Sequence, residues 1–188
     1  MKVSKGPANL MYPCPVTLVT SRDSKGKDNI VTIAWMGILC SEPPKIGIGL
    51  HKTRHSTGII EKSGEFVVNI PGEDLLEKTD YCGNVSGKDV DKFSKAGLTK
   101  EPAKKVKVSL IKECPVNLEC VVREKLDLGS HRLFVGEVVE AHVDDSILDG
   151  KGNFDFSKVA PVLFNAVQYE YWGLGKKKGS YGFAAKKF

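Results

Sequence analysis

The chain has 188 residues, of which 41% are hydrophobic, so it can fill one core well and is too short for two ordinary domains. Its formal net charge is only +5, and a lysine-rich end without interleaved aromatic residues is more typical of a solvated tail than of a nucleic-acid surface. No apolar run reaches the roughly 18 to 20 residues that span a bilayer. We therefore predict one domain over residues 1–175, a basic tail over 176–188, and neither nucleic acid nor a membrane as partner.

The five cysteines form no recognisable metal or disulfide pattern. They contain no C-x-x-C pair and show no ligand spacing with the four histidines, which argues against structural zinc. Their odd number and the lack of a secretory apolar segment predict reduced thiols in a cytoplasmic protein. The cysteines are Cys14, Cys40, Cys82, Cys114 and Cys120.

Short β-strands separated by turns are predicted in the first part of the chain. Residues 16–21 alternate apolar and hydroxyl side chains, and residues 29–36 are extended again after a polar turn, which predicts a β-hairpin. Pro43 and Pro44 interrupt the chain, because proline lacks the backbone donor that a strand ladder needs. The next strand is predicted over residues 45–50.

Helices are inserted between the later strands. The first is predicted over 56–63, with Ser56 as its N-cap and Gly64 as its left-handed C′ residue. The remaining elements are a strand over 65–70, a helix over 73–82 ended by Gly83, a helix over 88–96 ended by Gly97, and strands over 114–122 and 133–143. Strands do not alternate regularly with long helices, and no G-x-G-x-x-G follows a strand, so a mainly antiparallel β-barrel is favoured over a doubly wound parallel sheet.

Residues 51–57 contain the most informative polar cluster of the sequence. Lys52 and Arg54 supply positive charge, Ser56 and Thr57 supply hydroxyl donors, and the helix that begins here adds free backbone N–H groups and the positive end of its dipole. These groups suit a phosphate. The alternative is an ordinary N-cap by Ser56 surrounded by solvated cations.

The strand over 29–36 provides a second candidate for ligand binding. Asn29 and Thr32 present an amide and a hydroxyl, and Ala34, Trp35 and Met36 present a polarisable wall that suits a planar heteroaromatic ring. Plain core packing of Trp35 and Met36 is the alternative. No nucleophile signature such as G-x-S-x-G is present, so the chemistry is expected to come from a bound, phosphate-bearing cofactor.

Eight motifs in this order resemble the flavin reductase-like FMN-binding split barrels, and specifically their flavoredoxin branch. The resemblance covers nearly the whole chain. The motifs are Cys14-Pro-Val-Thr-Leu-Val-Thr-Ser21, Asn29-x-x-Thr32-x-Ala34-Trp35, Ser41-Glu-Pro-Pro44, Arg54-His-Ser56, Phe66-Val-Val-Asn-Ile-Pro71, Tyr81-Cys-Gly-x-x-Ser-Gly87, Val90-Asp-Lys-Phe93 and His131-x-x-Phe-Val-Gly-Glu137.

The resemblance implies a homodimer of six-stranded antiparallel split barrels of Greek-key type, with one FMN per subunit near the dimer interface. It places the flavin ring against residues 29–36 and the Cys40-Ser41 loop, with Asn29 near the polar edge of the ring. It assigns phosphate binding to Lys52, Arg54, Ser56 and Thr57. Cys82 and His131 lie in family-like motifs and are further candidates for flavin contacts. The alternative is that Cys82 is an inert thiol and His131 a buried, hydrogen-bonded imidazole. His51 and His55 are not expected to contact the cofactor.

Two classes of function follow from this resemblance. The first is an oxidoreductase that passes electrons through FMN from NAD(P)H or a protein donor to an acceptor. The second is a non-catalytic FMN carrier or store. A pyridoxamine-phosphate oxidase is a more distant option, since that family shares the barrel without these motifs. The sequence leaves the electron donor, the acceptor and the pathway open.

Overall fold

The structure, a computed structural model, describes residues 1–185. These residues form twelve β-strands and three α-helices, and the predicted mainly β class is confirmed. The strands are β1 (Cys14–Pro15), β2 (Thr17–Arg22), β3 (Asp28–Ile33), β4 (Met36–Ser41), β5 (Pro44–His51), β6 (Glu65–Ile70), β7 (Lys100–Glu101), β8 (Leu110–Ile111), β9 (Val116–Leu128), β10 (His131–Val143), β11 (Val162–Asn165) and β12 (Glu170–Gly173). The helices are α1 (His55–Ser63), α2 (Leu76–Asn84) and α3 (Lys92–Ala96), and short 3₁₀ helices cover Glu73–Leu75, Asp145–Ile147 and Phe156–Lys158.

The main sheet curls into a split barrel. Its strand order is β3-β2-β6-β9-β10-β5-β4, and every neighbouring pair is antiparallel. Strands β3 and β4 lie at opposite edges of this sheet, although only Ala34 and Trp35 separate them in the chain. Because so short a connection spans only about 10 Å, the two edges must approach each other. The N–H of Gly49 on β5 donates to the carbonyl of Trp35 at 2.7 Å and holds this junction.

The sheet has seven strands, whereas the resemblance implies six. The difference arises at the predicted strand over 29–36, which ends at Ile33 as β3 and resumes at Met36 as β4 on the other edge. The predicted hairpin is confirmed for β2 and β3, whose register pairs Thr17 with Ile33. The sequence pattern missed the break, because Ala34 and Trp35 continue an apolar run.

Two apolar layers fix the position of the helices. Inside the barrel, Val19, Ile48, Phe66 and Phe134 belong to one buried cluster. On the other side of β2 and β3, Leu18 and Ile30 pack with Leu75, Cys82 and Phe93 from the helical region. Because side chains alternate across a strand, β2 and β3 contribute to both layers. Helices α2 and α3 are therefore held against the outer face of β3.

The helix boundaries differ from the predictions in specific ways. The N-cap of α1 is Arg54 and not Ser56, which lies inside the first turn, while the predicted left-handed Gly64 is confirmed with φ 70°. Helix α2 continues through Gly83 to Asn84, so the predicted stop at Gly83 is wrong. Helix α3 begins only at Lys92, because the carboxylate of Asp91 accepts the N–H groups of Phe93 and Ser94 and caps the helix there.

A small antiparallel sheet with the order β1-β11-β12 carries the C-terminal hairpin. Residues 174–185 form no strand or helix, and residues 186–188 of the predicted basic tail lie outside the described residues. The domain boundary at residue 175 stays a prediction. All five cysteines are free thiols. No helix among residues 1–185 combines the length and the apolar character needed to cross a bilayer.

Candidate functional site

A cavity of about 1080 Å³ lies beside the split of the barrel. Its lining comes from β3, from the two-residue junction between β3 and β4, from the end of β5 and from the start of β10. The first turn of α1, the end of α2, the loop after α2, the first residue of α3 and the C-terminal hairpin also contribute. The cavity is therefore assembled from segments that are distant in the sequence.

The first turn of α1 presents hydrogen-bond donors to this cavity. Arg54 and Ser56 line it. The backbone N–H groups of His55 and Ser56, the first two residues of the helix, have no acceptor one turn back, whereas the N–H of Thr57 donates to the carbonyl of Arg54 at 3.1 Å. One guanidinium N–H of Arg54 donates to the carbonyl of Gly83 at 3.0 Å, and the remaining donors are available to a ligand. The side-chain amide of Asn29 donates to Ser56 Oγ at 2.7 Å, so the serine can still donate its own proton. This arrangement suits an anion such as phosphate.

Lys92, the first residue of α3, brings a second cation to the cavity lining. It is only 5% exposed, and its Nζ donates to the carbonyls of Ile30 at 2.7 Å and Cys82 at 2.6 Å. An ammonium group has three N–H donors, so one remains for a ligand. Burial, with a smaller contribution from the nearby Arg54, lowers the pKa of Lys92 to about 8. The group is thus mainly protonated at neutral pH.

Three aromatic side chains meet near the junction of β3 and β4. Trp35 stacks on His131 with ring centroids 6.2 Å apart and planes 10° apart. His51 contacts the same imidazole edge-on at 5.2 Å. Burial and the neighbouring His51 lower the pKa of His131, so this imidazole is mainly neutral at pH 7. Trp35 remains 44% exposed and lines the cavity, which leaves part of the indole accessible.

A second aromatic group comes from the C-terminal hairpin. The ring of Phe164 lies 5.3 Å from that of Tyr171 and 6.4 Å from that of Tyr169, and all three line the cavity. The phenol of Tyr171 donates to Asp80 Oδ1 at 2.8 Å. Burial and this hydrogen bond raise the pKa of Tyr171 to about 12, so the phenol keeps its proton at physiological pH.

Two glycines allow the end of α2 and the following loop to pack directly on β3. A Cβ at Gly87 would lie 1.8 Å from Asn29 Oδ1, and a Cβ at Gly83 would lie 3.1 Å from Thr32 Cβ. The hydroxyl of Thr32 donates to the carbonyl of Thr79 on α2. These contacts fix the side chain of Asn29 and bring the carbonyl of Gly83 within reach of Arg54.

The structure brings together seven of the thirteen residues predicted to bind the cofactor. They come from β3, the β3–β4 junction, the start of α1 and the start of β10. Their roles toward a ligand stay predictions, but their convergence on one cavity is observed. They are Asn29, Thr32, Ala34, Trp35, Arg54, Ser56 and His131.

Two residues predicted to bind the phosphate do not line the cavity. Lys52 Nζ forms an ion pair with Asp127 at 2.5 Å. The hydroxyl of Thr57 donates to the carbonyl of His51 at 2.9 Å. Because Arg54 lines the cavity and Lys52 is paired elsewhere, the structure separates two cations that the sequence placed together.

Four residues predicted to contact the ring also lie outside the cavity lining. Met36 Sδ accepts a hydrogen bond from the hydroxyl of Thr17 at 2.9 Å and packs against the barrel core, as the alternative interpretation expected. Cys40 donates to the carbonyl of Glu42 at 3.4 Å, and Ser41 ends β4 just before that turn. Cys82 is fully buried, and burial raises its pKa to about 11, which makes it an inert thiol at neutral pH.

The sequence reasoning missed several residues of the lining. Lys92 lies within a family-like motif, but the Asp91-Lys92-Phe93 sequence alone does not predict that its ammonium group is buried on two carbonyls. His51 and His55, expected to be bystanders, both line the cavity. Burial and nearby lysines lower the pKa of His55. The hairpin aromatic residues carried no sequence signal, because the hairpin is far from the other motifs in the chain.

The matches to known proteins agree with this geometry. Residues 10–173 match the flavin reductase like domain, and the chain belongs to this family. A protein of Archaeoglobus fulgidus is 36% identical over 154 residues, which cover 82% of this chain and 86% of that protein. The fold and the cavity thus define a flavin reductase-like split-barrel protein.

Within the family, the chain is similar to flavoredoxins. The structure of flavoredoxin from Desulfovibrio vulgaris (Miyazaki F) superposes with a TM-score of 0.92 at 35% identity, covering 98% of this chain and 100% of that one. Flavoredoxin from Methanosarcina acetivorans superposes with a TM-score of 0.89 at 34% identity, covering 100% of this chain and 97% of that one. These likenesses cover nearly the whole of each chain, and the predicted resemblance to the flavoredoxin branch is confirmed.

Proposed function

We propose that this protein binds FMN in the cavity and transfers electrons as a flavin-dependent oxidoreductase of the flavoredoxin type. The observation that carries this proposal is the anion-binding first turn of α1 at one end of a cavity that also contains aromatic walls. The likeness to two flavoredoxins over almost the full chain supports it. FMN is favoured over FAD because the cavity offers one compact anion site.

The residues of the cavity fit such a cofactor. The side chains of Arg54 and Ser56 and the first two backbone N–H groups of α1 are the donors for the phosphate, and the third N–H of Lys92 adds a cationic donor. The close packing of Gly87 on Asn29 fixes this donor set before a ligand arrives. Preorganised donors bind an anion without the cost of first ordering their side chains.

Apolar and aromatic residues fit the planar part of the cofactor. Trp35 and the neutral His131 offer a stacked pair of rings, and Val31, Ile33 and Leu50 add an apolar lining that excludes water. A bound flavin supplies the redox chemistry, since it can take up and release one or two electrons. The protein orients it, shields it and leaves the hairpin side of the cavity for a reaction partner.

The electron donor in this proposal is NAD(P)H or a redox protein. A second copy of the chain is the proposed partner in a homodimer, because the edge strand β4 exposes Ile38 and Leu39. Leu39 of β4 and Leu133 of β10 together fill the space above Gly47 of β5, and Leu126 of β9 lies opposite Leu133. An apolar surface therefore continues across the four neighbouring strands β4, β5, β10 and β9. The five free thiols support the predicted cytoplasmic location.

The experiment begins with the absorbance spectrum of the purified protein and the identity of the released flavin. Titration of the apoprotein with FMN and with riboflavin then isolates the contribution of the phosphate. We expect FMN to bind at least about tenfold more tightly, because charged hydrogen bonds to the phosphate contribute roughly 1.5 kcal/mol or more. Equal affinities, or a colourless protein that takes up no FMN, would contradict the proposal.

Anaerobic reduction by NADH and NADPH separates an enzyme from a carrier. An oxidoreductase that uses pyridine nucleotides reduces its FMN faster than free FMN is reduced at the same concentration. An FMN carrier shows no such acceleration with these donors or with a low-potential redox protein.

A further inference from the structure

Lys92 is a buried cation that has no counter-ion in the described part of the protein. The residue is only 5% exposed, and no carboxylate of residues 1–185 forms an ion pair with its ammonium group. The neighbouring Asp91 instead accepts the N–H groups of Phe93 and Ser94 as the N-cap of α3. Lysines are almost never buried to this extent without a paired charge. Because Lys92 lines the cavity, an anion bound there can supply the counter-charge.

The groups that face Lys92 from the neighbouring elements are neutral or cationic. The end of α2 contributes the buried thiol of Cys82, whose pKa is raised by burial to about 11. The start of α1 contributes Arg54 and His55, and Lys88 of the loop before α3 lies near His55. Burial and nearby lysines lower the pKa of His55, so this imidazole is mainly neutral above pH 7. These surroundings favour the loss of a proton from Lys92 unless an anion is present.

The hydrogen bonds of Lys92 Nζ make its third position depend on protonation. The charged amine has three N–H groups, of which two donate to the carbonyls of Ile30 at 2.7 Å and Cys82 at 2.6 Å. The neutral amine has two N–H groups, which these carbonyls occupy, and presents a lone pair where the third N–H was. A lone pair repels a phosphate oxygen. Lys92 can therefore lose its proton without losing a hydrogen bond to the protein, but the neutral amine cannot hold a phosphate.

We propose that FMN binding draws one proton from solvent onto Lys92 Nζ, so that alkaline pH releases the cofactor. This inference rests on the proposed phosphate site and adds its regulation. The second pKa of a phosphate monoester is about 6, so FMN is already a dianion at the pH values considered and takes up no proton itself. In the protein without FMN, burial lowers the pKa of Lys92 to about 8. The bound dianion stabilises the charged amine and raises this pKa in the complex.

The test counts the protons that are taken up when the apoprotein is titrated with FMN at pH 8.5. Isothermal titration in two buffers of different ionisation enthalpy gives this number. We expect roughly 0.7 proton per FMN, because about that fraction of Lys92 is uncharged in the apoprotein at this pH, and none for riboflavin. The Kd of FMN rises roughly fivefold to tenfold between pH 7 and pH 9, and the Kd of riboflavin stays constant. Circular dichroism verifies that the apoprotein is folded at pH 9.

Two lysine substitutions assign the proton. Lys92→Met removes the titrating group, so we expect no proton uptake and an FMN Kd that is equal at pH 7 and pH 9. At pH 7 this variant binds FMN about tenfold more weakly than the wild type, because a charged hydrogen bond is lost. The matched control is Lys78→Met. Lys78 donates to the carbonyl of Gly97 at 3.0 Å outside the cavity lining, and its substitution keeps the wild-type proton count.

The outcomes separate this inference from the proposed function. A wild type that binds FMN without proton uptake overturns the coupling and leaves the proposed function intact. Equal uptake with riboflavin overturns it as well, because the proton then belongs to the ring, and so does a wild-type proton count in Lys92→Met. The wild-type measurements decide the outcome even if Lys92→Met does not fold. A protein that takes up no FMN overturns both the inference and the proposed function.

Discussion

The side-chain amide of Asn29 donates a hydrogen bond of 2.7 Å to Ser56 Oγ, and this bond joins β3 to the first turn of α1. Both residues are buried, and Gly87 packs against the other end of the Asn29 amide. The bond orients the serine hydroxyl at the end of the cavity where we propose that the phosphate binds. Asn29 is thus tied to the proposed phosphate end, whereas Trp35 lies six residues further along the chain at the barrel split.

Asn29→Ala tests this coupling. We expect a loss of FMN affinity of about fivefold to tenfold, because Ser56 loses the donor that orients it. Ser56→Ala has a similar effect, and the double variant is no worse than either single variant, since both remove one interaction. Isothermal titration of the apoproteins measures these values, with Asn153→Ala in a remote loop as control. Strictly additive losses would argue that the two side chains act independently.

An unchanged flavin potential in Asn29→Ala would exclude the predicted contact with the polar edge of the ring.

Arg54→Ala and Lys52→Ala distinguish the two cations of residues 51–57. Arg54 lines the cavity, so its removal weakens FMN binding by on the order of 2 kcal/mol and leaves riboflavin binding almost unchanged. Lys52 is paired with Asp127 outside the lining, so its removal alters FMN affinity less than about twofold. Quenching of flavin fluorescence on binding measures the affinity of each variant for FMN and for riboflavin. An equal loss of FMN affinity in the two variants would show that Lys52 also contributes to phosphate binding.

Gly87→Ala and Gly58→Ala form a matched pair of glycine substitutions. The new Cβ at position 87 clashes with Asn29 Oδ1, so we expect a loss of about 1–3 kcal/mol of stability and a weaker affinity for FMN. Gly58 lies in α1 with no atom within 4 Å of an added Cβ, so alanine stabilises the helix by about 0.5–1 kcal/mol. Thermal unfolding and FMN titration read out both effects. A stable Gly87→Ala protein with full FMN affinity would show that this packing is dispensable.

The buried Lys92 predicts a pH dependence of stability. Its pKa is about 8 in the folded apoprotein and near the ordinary 10.5 in the unfolded chain, so the unfolded state binds more protons between these values. The free energy of unfolding of the wild type, relative to Lys92→Met, therefore rises between pH 8 and 10.5 by on the order of 3 kcal/mol and is flat below pH 8. Urea unfolding of both proteins at several pH values measures this difference. A difference that is constant up to pH 10 would mean that the lysine keeps its ordinary pKa.

The exposed leucines on the barrel predict the oligomeric state. If a second copy covers the surface around Leu39, Leu39→Asp converts the dimer to a monomer, because a carboxylate there cannot be desolvated against an apolar partner. Light scattering coupled to size exclusion measures the mass. Leu174→Asp, at an exposed position beyond the last strand, is the control and keeps the dimer. A monomeric wild type would remove the basis of this prediction.

Local signals in the sequence were strong where a residue acts through its own backbone. Gly64 ends α1 in the left-handed conformation as predicted, because only its missing side chain matters there. The same kind of signal predicts Ser56 as the N-cap, yet Ser56 lies inside the helix and its hydroxyl oxygen accepts a hydrogen bond from the side-chain amide of Asn29. That outcome depends on β3, which lies far away in the chain. The break at Ala34 and Trp35 was missed for a related reason, since closure of the barrel and not local propensity decides where β3 ends.

The sequence by itself determined the mainly β class, the hairpin of β2 and β3, the positive segment before α1 and the family resemblance, because periodicity, turn residues and ordered motifs are local properties. Only the tertiary structure decided which of these residues share a cavity. It separated Arg54 from Lys52 and buried Lys92 on two carbonyls. It also brought the aromatic residues of the C-terminal hairpin to a cavity whose other lining residues lie in the first half of the chain and on β10. The physical reason is that burial, ion pairing and pKa depend on neighbours that the folded barrel supplies from distant segments.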